Sequence, residues 1–294
     1  MRDNKLANAL HESFRNSPNY ARLLARTARG AKTELNLAGL TDSAKSLIIS
    51  SLQHEIRRPV YLVVQDNHSA AHYHQELSNL SKYRVFLYPA SEVSPYEQVL
   101  SSPDNVASQM ELLQHLQNEP REPFVVVATA KALMQRILPP AVLKENCFTI
   151  KVEESYSSDE LAKKLTRLGY SRETLVSLRG EFSIRGDIVD IYPSTGAPLR
   201  LEFFGEEVES IRTFNIESQR SVEELTEAVV TPRWWVVLDE GEESRTRLVE
   251  SLRAVMDESI KELSDNDADT LRSVMETDLE SLEAGAYPES VEYY

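Results

Sequence analysis

Between Glu181 and Phe214 the chain divides into four short runs, Glu181–Arg185, Ile188–Tyr192, Leu199–Phe204 and Glu207–Phe214, in which apolar and polar residues alternate. Alternation with a period of two sends one side of each run into a core and the other outward. The separators, Gly186-Asp187, Ser194-Thr-Gly-Ala-Pro198 and the turn around Gly205, hold residues suited to tight turns. The segment is therefore predicted as an antiparallel meander. A helix over about Ser158–Leu168, with Leu161, Leu165 and Leu168 on one stripe, leads into it.

The first half follows a different pattern. Val60–Val64, Val85–Tyr88 and Phe124–Ala128 are continuous apolar runs, and helical spacing separates them: Ser69 to Leu80, opened by Asp66 or Asn67, and Asn105 to Leu116. Apolar strands separated by helices indicate a parallel sheet covered on both faces. After Ser218 the chain is expected to return to a mostly helical, acidic composition, with one apolar run at Trp234–Leu238.

Charge and cysteine content narrow the function classes. The net charge is −15, and residues 217–294 hold twenty-one acidic against seven basic residues. An acidic C-terminal third repels a phosphate backbone, and no long basic stripe with interleaved aromatics lies upstream. Direct nucleic-acid binding is not expected. No apolar run reaches the roughly 18 to 20 residues that span a bilayer, and the first twenty residues lack a secretory pattern, so a soluble cytoplasmic protein is expected. Cys147 is the single cysteine; it cannot form an internal disulfide, and its neighbours supply no cation to activate a thiolate. The closing segment, Tyr287 to Tyr294, stops abruptly on aromatic residues, which suggests an excised fragment of a longer chain.

Two constellations invite a catalytic reading. Gly39-Leu-Thr-Asp-Ser-Ala44-Lys45-Ser46 has the frame of a phosphate-binding loop, with Ala44 where the second glycine belongs. A Cβ at 44 and a carboxylate at Asp42 both oppose a tightly held polyanion, so Gly39, Ala44, Lys45 and Ser46 are read as a degenerate loop that binds no nucleotide. Asp239-Glu240, after an apolar run, could hold Mg²⁺ but opens an acidic surface stretch. His68 and His72 are spaced i, i+4, yet no glutamate follows His68, and His74 points to another face; no metal site is expected. No catalytic residues, metal or cofactor are assigned.

The most specific signal lies in and around the meander: Leu168-Gly-Tyr-Ser-Arg-Glu173, Arg179-Gly-Glu-Phe-Ser-Ile-Arg-Gly-Asp-Ile-Val-Asp-Ile-Tyr-Pro193, Leu199-Arg-Leu-Glu-Phe-Phe-Gly205 and Glu217-Ser-Gln-Arg-Ser221. These elements resemble the N-terminal UvrB-homology region of bacterial transcription-repair coupling factors (the Mfd family). UvrB shares the Arg-Gly, Arg-Gly-Asp and Glu-Phe-Phe-Gly elements, whereas Glu-Ser-Gln-Arg-Ser is similar to the coupling factors. The resemblance extends upstream through Gly39–Ser46, Tyr88–Glu92, Pro95–Glu97 and Pro103-Asp104, and downstream to Val291–Tyr294.

The resemblance implies an α/β fold: a helicase-like parallel-sheet domain with a degenerate P-loop, interrupted by a small inserted α+β domain. The expected boundaries are 1–148 for the first part of the α/β domain, 149–217 for the insert and 218–294 for the return. The insert would bind UvrA, the damage-recognition ATPase, and the function would be non-catalytic recruitment of UvrA during transcription-coupled nucleotide excision repair. RNA polymerase and DNA would be engaged only by domains absent from this chain, and no membrane is involved. Partner-contacting residues map onto Arg172 and Arg185, with Arg179 and Phe182 nearby. By strand alternation Phe182 and Ile184 face one way and Arg185 the other, towards solvent or a partner. The alternative function is that of a UvrB-like ATP-dependent DNA-binding repair enzyme, against which Ala44 and the short, aromatic-poor stretch at 94–108 both argue.

Overall fold

The computed structural model describes residues 5–27, 34–91, 102–238 and 241–288. The stretch 94–101, the acidic pair Asp239-Glu240 and the closing Val291–Tyr294 lie outside the described residues. The chain is a mixed α/β protein with two compact units, residues 1–91 with 111–136 and residues 92–110 with 137–294.

The first unit contains α1 (Lys5–Arg15), α2 (Pro18–Thr27), α3 (Asp42–Ile56), β1 (Val60–Val64), α4 (Asn67–Leu80) and β2 (Val85–Tyr88). Helix α5 (Pro103–Gln117) enters it at Glu111, and β3 (Val125–Thr129) and α6 (Ala130–Met134) complete it. The three strands form a parallel sheet in the order β1-β3-β2. Every residue of the central strand is buried, which explains why its run is continuously apolar. Val125 and Val127 pack with Ala70, Tyr73 and Leu77 of α4, while Val126 and Ala128 pack with Phe86, Leu112 and Phe124. The expected opening of α4 is observed: the Asp66 carboxylate accepts the Ser69 N–H at 2.7 Å, satisfying one of the orphan donors of the first turn.

The second unit continues with α7 (Pro140–Asn146), β4 (Phe148–Lys151), α8 (Ser158–Arg167), β5 (Ser171–Arg172), β6 (Glu181–Arg185), β7 (Ile188–Tyr192), β8 (Leu199–Phe204), β9 (Glu207–Phe214), β10 (Ser221–Leu225), β11 (Glu227–Val230), α9 (Glu242–Ile260) and α10 (Asp265–Glu283). The four runs of the meander are strands with the expected limits, and they join a six-stranded sheet in the order β10-β9-β8-β7-β6-β5. All its pairings are antiparallel except β5 with β6. Leu161, Leu165 and Leu168 pack onto one face with Phe182, Val189, Ile191, Leu199, Leu201 and Ile211. Strands β10 and β11 occupy a stretch expected to be mostly helical: β10 pairs with β9, and β11 pairs with β4 in a separate two-stranded sheet. Helices α9 and α10 pack through Val249, Leu279 and Leu282, and the Tyr287 hydroxyl ties their base down by donating to the Arg167 carbonyl at 2.6 Å and accepting from the Leu238 N–H at 2.8 Å.

Candidate docking face

Because strand side chains alternate, the face of the six-stranded sheet opposite the core carries its polar residues, and register lines them up across strands. Ser183 pairs with Asp190, Asp190 with Arg200, Arg200 with Arg212, and Arg212 with Glu224. Asp190 is 0% exposed although it points away from the core. Its carboxylate is covered by two arginines: Arg200 donates from Nε to Oδ1 at 2.7 Å and from Nη2 to Oδ2 at 2.9 Å, and Arg185 donates from Nη2 to Oδ2 at 2.5 Å. Arg200 is further fixed by the Gln219 carbonyl at 3.0 Å and by the Phe214 ring beneath its guanidinium. The Arg200 guanidinium is pushed to still higher pKa by the Asp190 carboxylate. Farther along the sheet, Arg212 donates to Glu202 at 3.1 Å and to Glu224 at 3.3 Å, so that arginine is balanced within the face.

The four residues expected at a partner surface fall into different environments. Arg185 is on the outward face with its side chain 46% exposed. Arg172 is exposed on the edge strand β5. It pairs in register with Phe182, so it emerges on the side opposite Arg185, about 10 Å along the strand direction from it. Phe182 is 0% exposed and lies wholly in the core; its contribution to any surface is to hold β6 in place. Arg179 is turned inward: its Nη1 donates to the carbonyls of Gly196 at 2.8 Å, Pro193 at 3.2 Å and Ser194 at 3.4 Å, its Nε donates to Asp104 at 3.2 Å, and its guanidinium lies over the Tyr192 ring. It clamps the turn between β7 and β8.

Sequence reasoning missed Asp190, Arg200 and Arg233. Arg233 donates from Nη1 to Ser171 Oγ at 2.8 Å and to the carbonyls of Gly169 and Gly180 at 3.3 and 3.4 Å, with its guanidinium over the Trp234 ring. Burial pulls its pKa down, opposed by the Glu181 carboxylate. The glycines of the Leu-Gly-Tyr and Arg-Gly-Glu elements make room for this clamp: a Cβ on Gly180 would stand 2.4 Å from Arg233 Cδ and Nε, and one on Gly169 would stand 2.7 Å from Trp234 Cδ1. The Glu-Ser-Gln-Arg-Ser element also has a structural role. Gln219, with φ 57°, closes the turn by donating its N–H to the Asn215 carbonyl at 2.7 Å and presents its own carbonyl to Arg200.

In the loop resembling a P-loop, residues 34–38 form no strand ahead of α3, unlike the strand–loop–helix of a phosphate cradle. Lys45 Nζ donates to Asp42 at 2.8 Å, the Tyr73 hydroxyl donates to the same oxygen at 2.8 Å, and the Ser46 hydroxyl donates to Glu76 at 2.5 Å. These hydrogen bonds from Lys45 and Tyr73 lower the Asp42 pKa, and Asp42 in turn raises that of Lys45. The groups that would grip a phosphate and its metal are thus engaged by two carboxylates. His68 and His72 are exposed, and His74 Nε2 meets the Val85 carbonyl at 3.3 Å. Among the described residues no three His, Cys, Asp or Glu side chains come together as a metal site. Cys147 is partly buried, and burial pushes its thiol up to about 11, so it stays protonated at neutral pH.

Residues 148–234, from β4 through the six-stranded sheet and β11 to Trp234, match the UvrB interaction domain family. The chain is 34% identical over 275 residues to the transcription-repair-coupling factor of Bacillus subtilis, an alignment covering 92% of this chain and 23% of that protein. The coupling factor of Myxococcus xanthus is 35% identical over 227 residues, covering 74% of this chain and 19% of the relative. The chain belongs to the transcription-repair-coupling factor family. It spans about a quarter or less of the coupling factors it matches and corresponds to their UvrB-interaction module, as opposed to a motor domain. The Haemophilus influenzae coupling factor, 32% identical over 197 residues, aligns with 67% of this chain. Among the described residues no helix is long and apolar enough to cross a membrane.

Proposed function

We propose that this chain is a non-catalytic docking module that binds the excision-repair protein UvrA and recruits it in transcription-coupled DNA repair. The observation that carries the reading is the coincidence of the UvrB interaction domain match at 148–234 with a sheet whose outward face displays Arg185. Arginine suits such a face because its planar fork pairs with carboxylates at interfaces. Arg185 and Arg172 make the direct contacts, with the partner covering the β5 edge of the sheet; Arg179 and Phe182 hold the surrounding turn and strand. The pairing of β10 with β9 and of β11 with β4 supports drawing the docking domain at 148–234, wider than the expected 149–217. The loop at Gly39–Ser46 binds no nucleotide in this reading, and RNA polymerase and DNA are left to other parts of the longer coupling factor.

The test is UvrA binding to Arg185→Ala. Charge reversal at this position would place a second carboxylate against Asp190 and confuse misfolding with lost contact, so truncation is the cleaner change. Loss of a desolvated interfacial charge pair costs about 2 to 5 kcal/mol, a weakening of roughly thirtyfold or more. Lys163→Ala on α8 changes net charge equally and is expected to leave binding intact. Equal loss in both variants would reveal diffuse electrostatics and contradict a defined docking face.

A further inference from the structure

We propose that Asp190 is a positioning residue of the docking face: its buried carboxylate holds the Arg185 guanidinium in the orientation that meets a carboxylate of the partner. The inference rests on the proposed UvrA-binding role. Its basis is an imbalance in the cluster. A buried carboxylate needs one partner to be neutralised, and Arg200 alone already supplies a two-nitrogen grip on both oxygens, at 2.7 and 2.9 Å, with its side chain 14% exposed. Arg200 has no freedom left, since Gln219 and Phe214 hold its other side.

Arg185 is therefore surplus to the needs of Asp190. It is attached through Nη2 alone and keeps most of its five N–H donors for another group. One carboxylate beneath two guanidinium groups leaves a net positive charge, and the exposed member displays it. An arginine held this way has surrendered part of its rotamer freedom before the partner arrives, so less is lost on docking. Ser183, opposite Asp190, is small and fully buried, and leaves the arginine pair undisturbed. The partner group that fits is a carboxylate able to take the remaining donors of a fixed guanidinium side by side.

A double-mutant cycle on this chain with purified UvrA tests the proposal. Asp190→Asn keeps one acceptor and removes the charge that orients Arg185. It is expected to weaken binding about as much as Arg185→Ala, by roughly thirtyfold or more, and the double variant is expected to bind no worse than Arg185→Ala alone. Lys163→Ala, which removes one positive charge from α8, is the control and is expected to retain UvrA affinity. Unchanged binding in Asp190→Asn, additive losses in the double variant, or an affinity loss in Lys163→Ala matching that of Asp190→Asn would overturn the positioning role. If Arg185→Ala binds UvrA like the parent, the docking face itself is refuted and the role of Asp190 falls with it.

Discussion

Replacing Gly180 by alanine is expected to destabilise the second unit far more than the same change at Gly186, and the structure gives the reason. Gly180 has φ +81° and Gly186 has φ +62°, so either alanine adopts a left-handed conformation costing about 1 to 2 kcal/mol. Around Gly186 the new Cβ meets open space, whereas at Gly180 it would sit 2.4 Å from Arg233 Cδ and Nε and 2.8 Å from Cγ. Arg233 cannot swing aside freely, because Nη1 is bonded to Ser171, Gly169 and Gly180 and the guanidinium stacks on Trp234. Overpacking of this kind costs about 1 to 3 kcal/mol more, bringing Gly180→Ala to about 2 to 5 kcal/mol against about 1 to 2 for Gly186→Ala. The two tryptophans of the chain, Trp234 and Trp235, both lie in this unit, so fluorescence during urea unfolding reports on it alone. With a slope of about 1 to 3 kcal/mol per molar urea, Gly180→Ala should lower the midpoint by roughly 1 M or more. In an Arg233→Ala background the excess over Gly186→Ala should vanish. Equal losses at the two glycines, or an unchanged excess without Arg233, would refute the clamp.

Mg-ATP is expected to leave the melting temperature unchanged, because Lys45 and Ser46 already serve Asp42 and Glu76. A ligand at a hundredfold excess over its Kd would add about 2.7 kcal/mol, so an ATP-dependent rise abolished by Lys45→Ala would contradict this reading. Acidification from pH 7 should destabilise the first unit. His115, wedged between the Phe86 and Phe124 rings with Nε2 unpartnered, and His54 both have pKa values lowered chiefly by burial. The unfolded chain therefore takes up these protons first, and stability falls as the pH drops below about 6.5 towards the depressed folded values. His115→Gln should flatten that dependence in pH-stepped thermal melts, and stability that holds or rises down to pH 5.5 would contradict it.

The fold was legible where local pattern and tertiary environment agree. Alternation marked the strands of the meander, and continuous apolar runs marked the three parallel strands, because burial on one face or two writes itself directly into residue order. Ser221–Leu225 was not legible: an exposed, glutamate-rich stretch becomes a strand because the edge of β9 is there to pair with it, a tertiary effect that overrides propensity. Alternation also put Phe182 inside and Arg185 outside. It could not reveal that Arg200 grips Asp190, since the segment from Pro193 to Pro198 does not by itself fix how β7 and β8 align. Arg233 was out of reach for the same reason, standing more than fifty residues from the glycines it grips. The Gly39–Ser46 spacing suggested a phosphate frame, and only the three-dimensional arrangement shows Glu76 and Tyr73 closing around it.

The most direct test of the central claim is a titration of UvrA into the labelled chain, followed by competition with UvrB. Saturable binding that UvrB displaces is expected, since UvrB shares the Arg-Gly-Asp and Glu-Phe-Phe-Gly elements of the docking sheet, with Arg185→Ala shifting the curve at least thirtyfold to higher UvrA concentration. No saturable binding by a chain that melts cooperatively, or binding indifferent to both UvrB and Arg185, would contradict it.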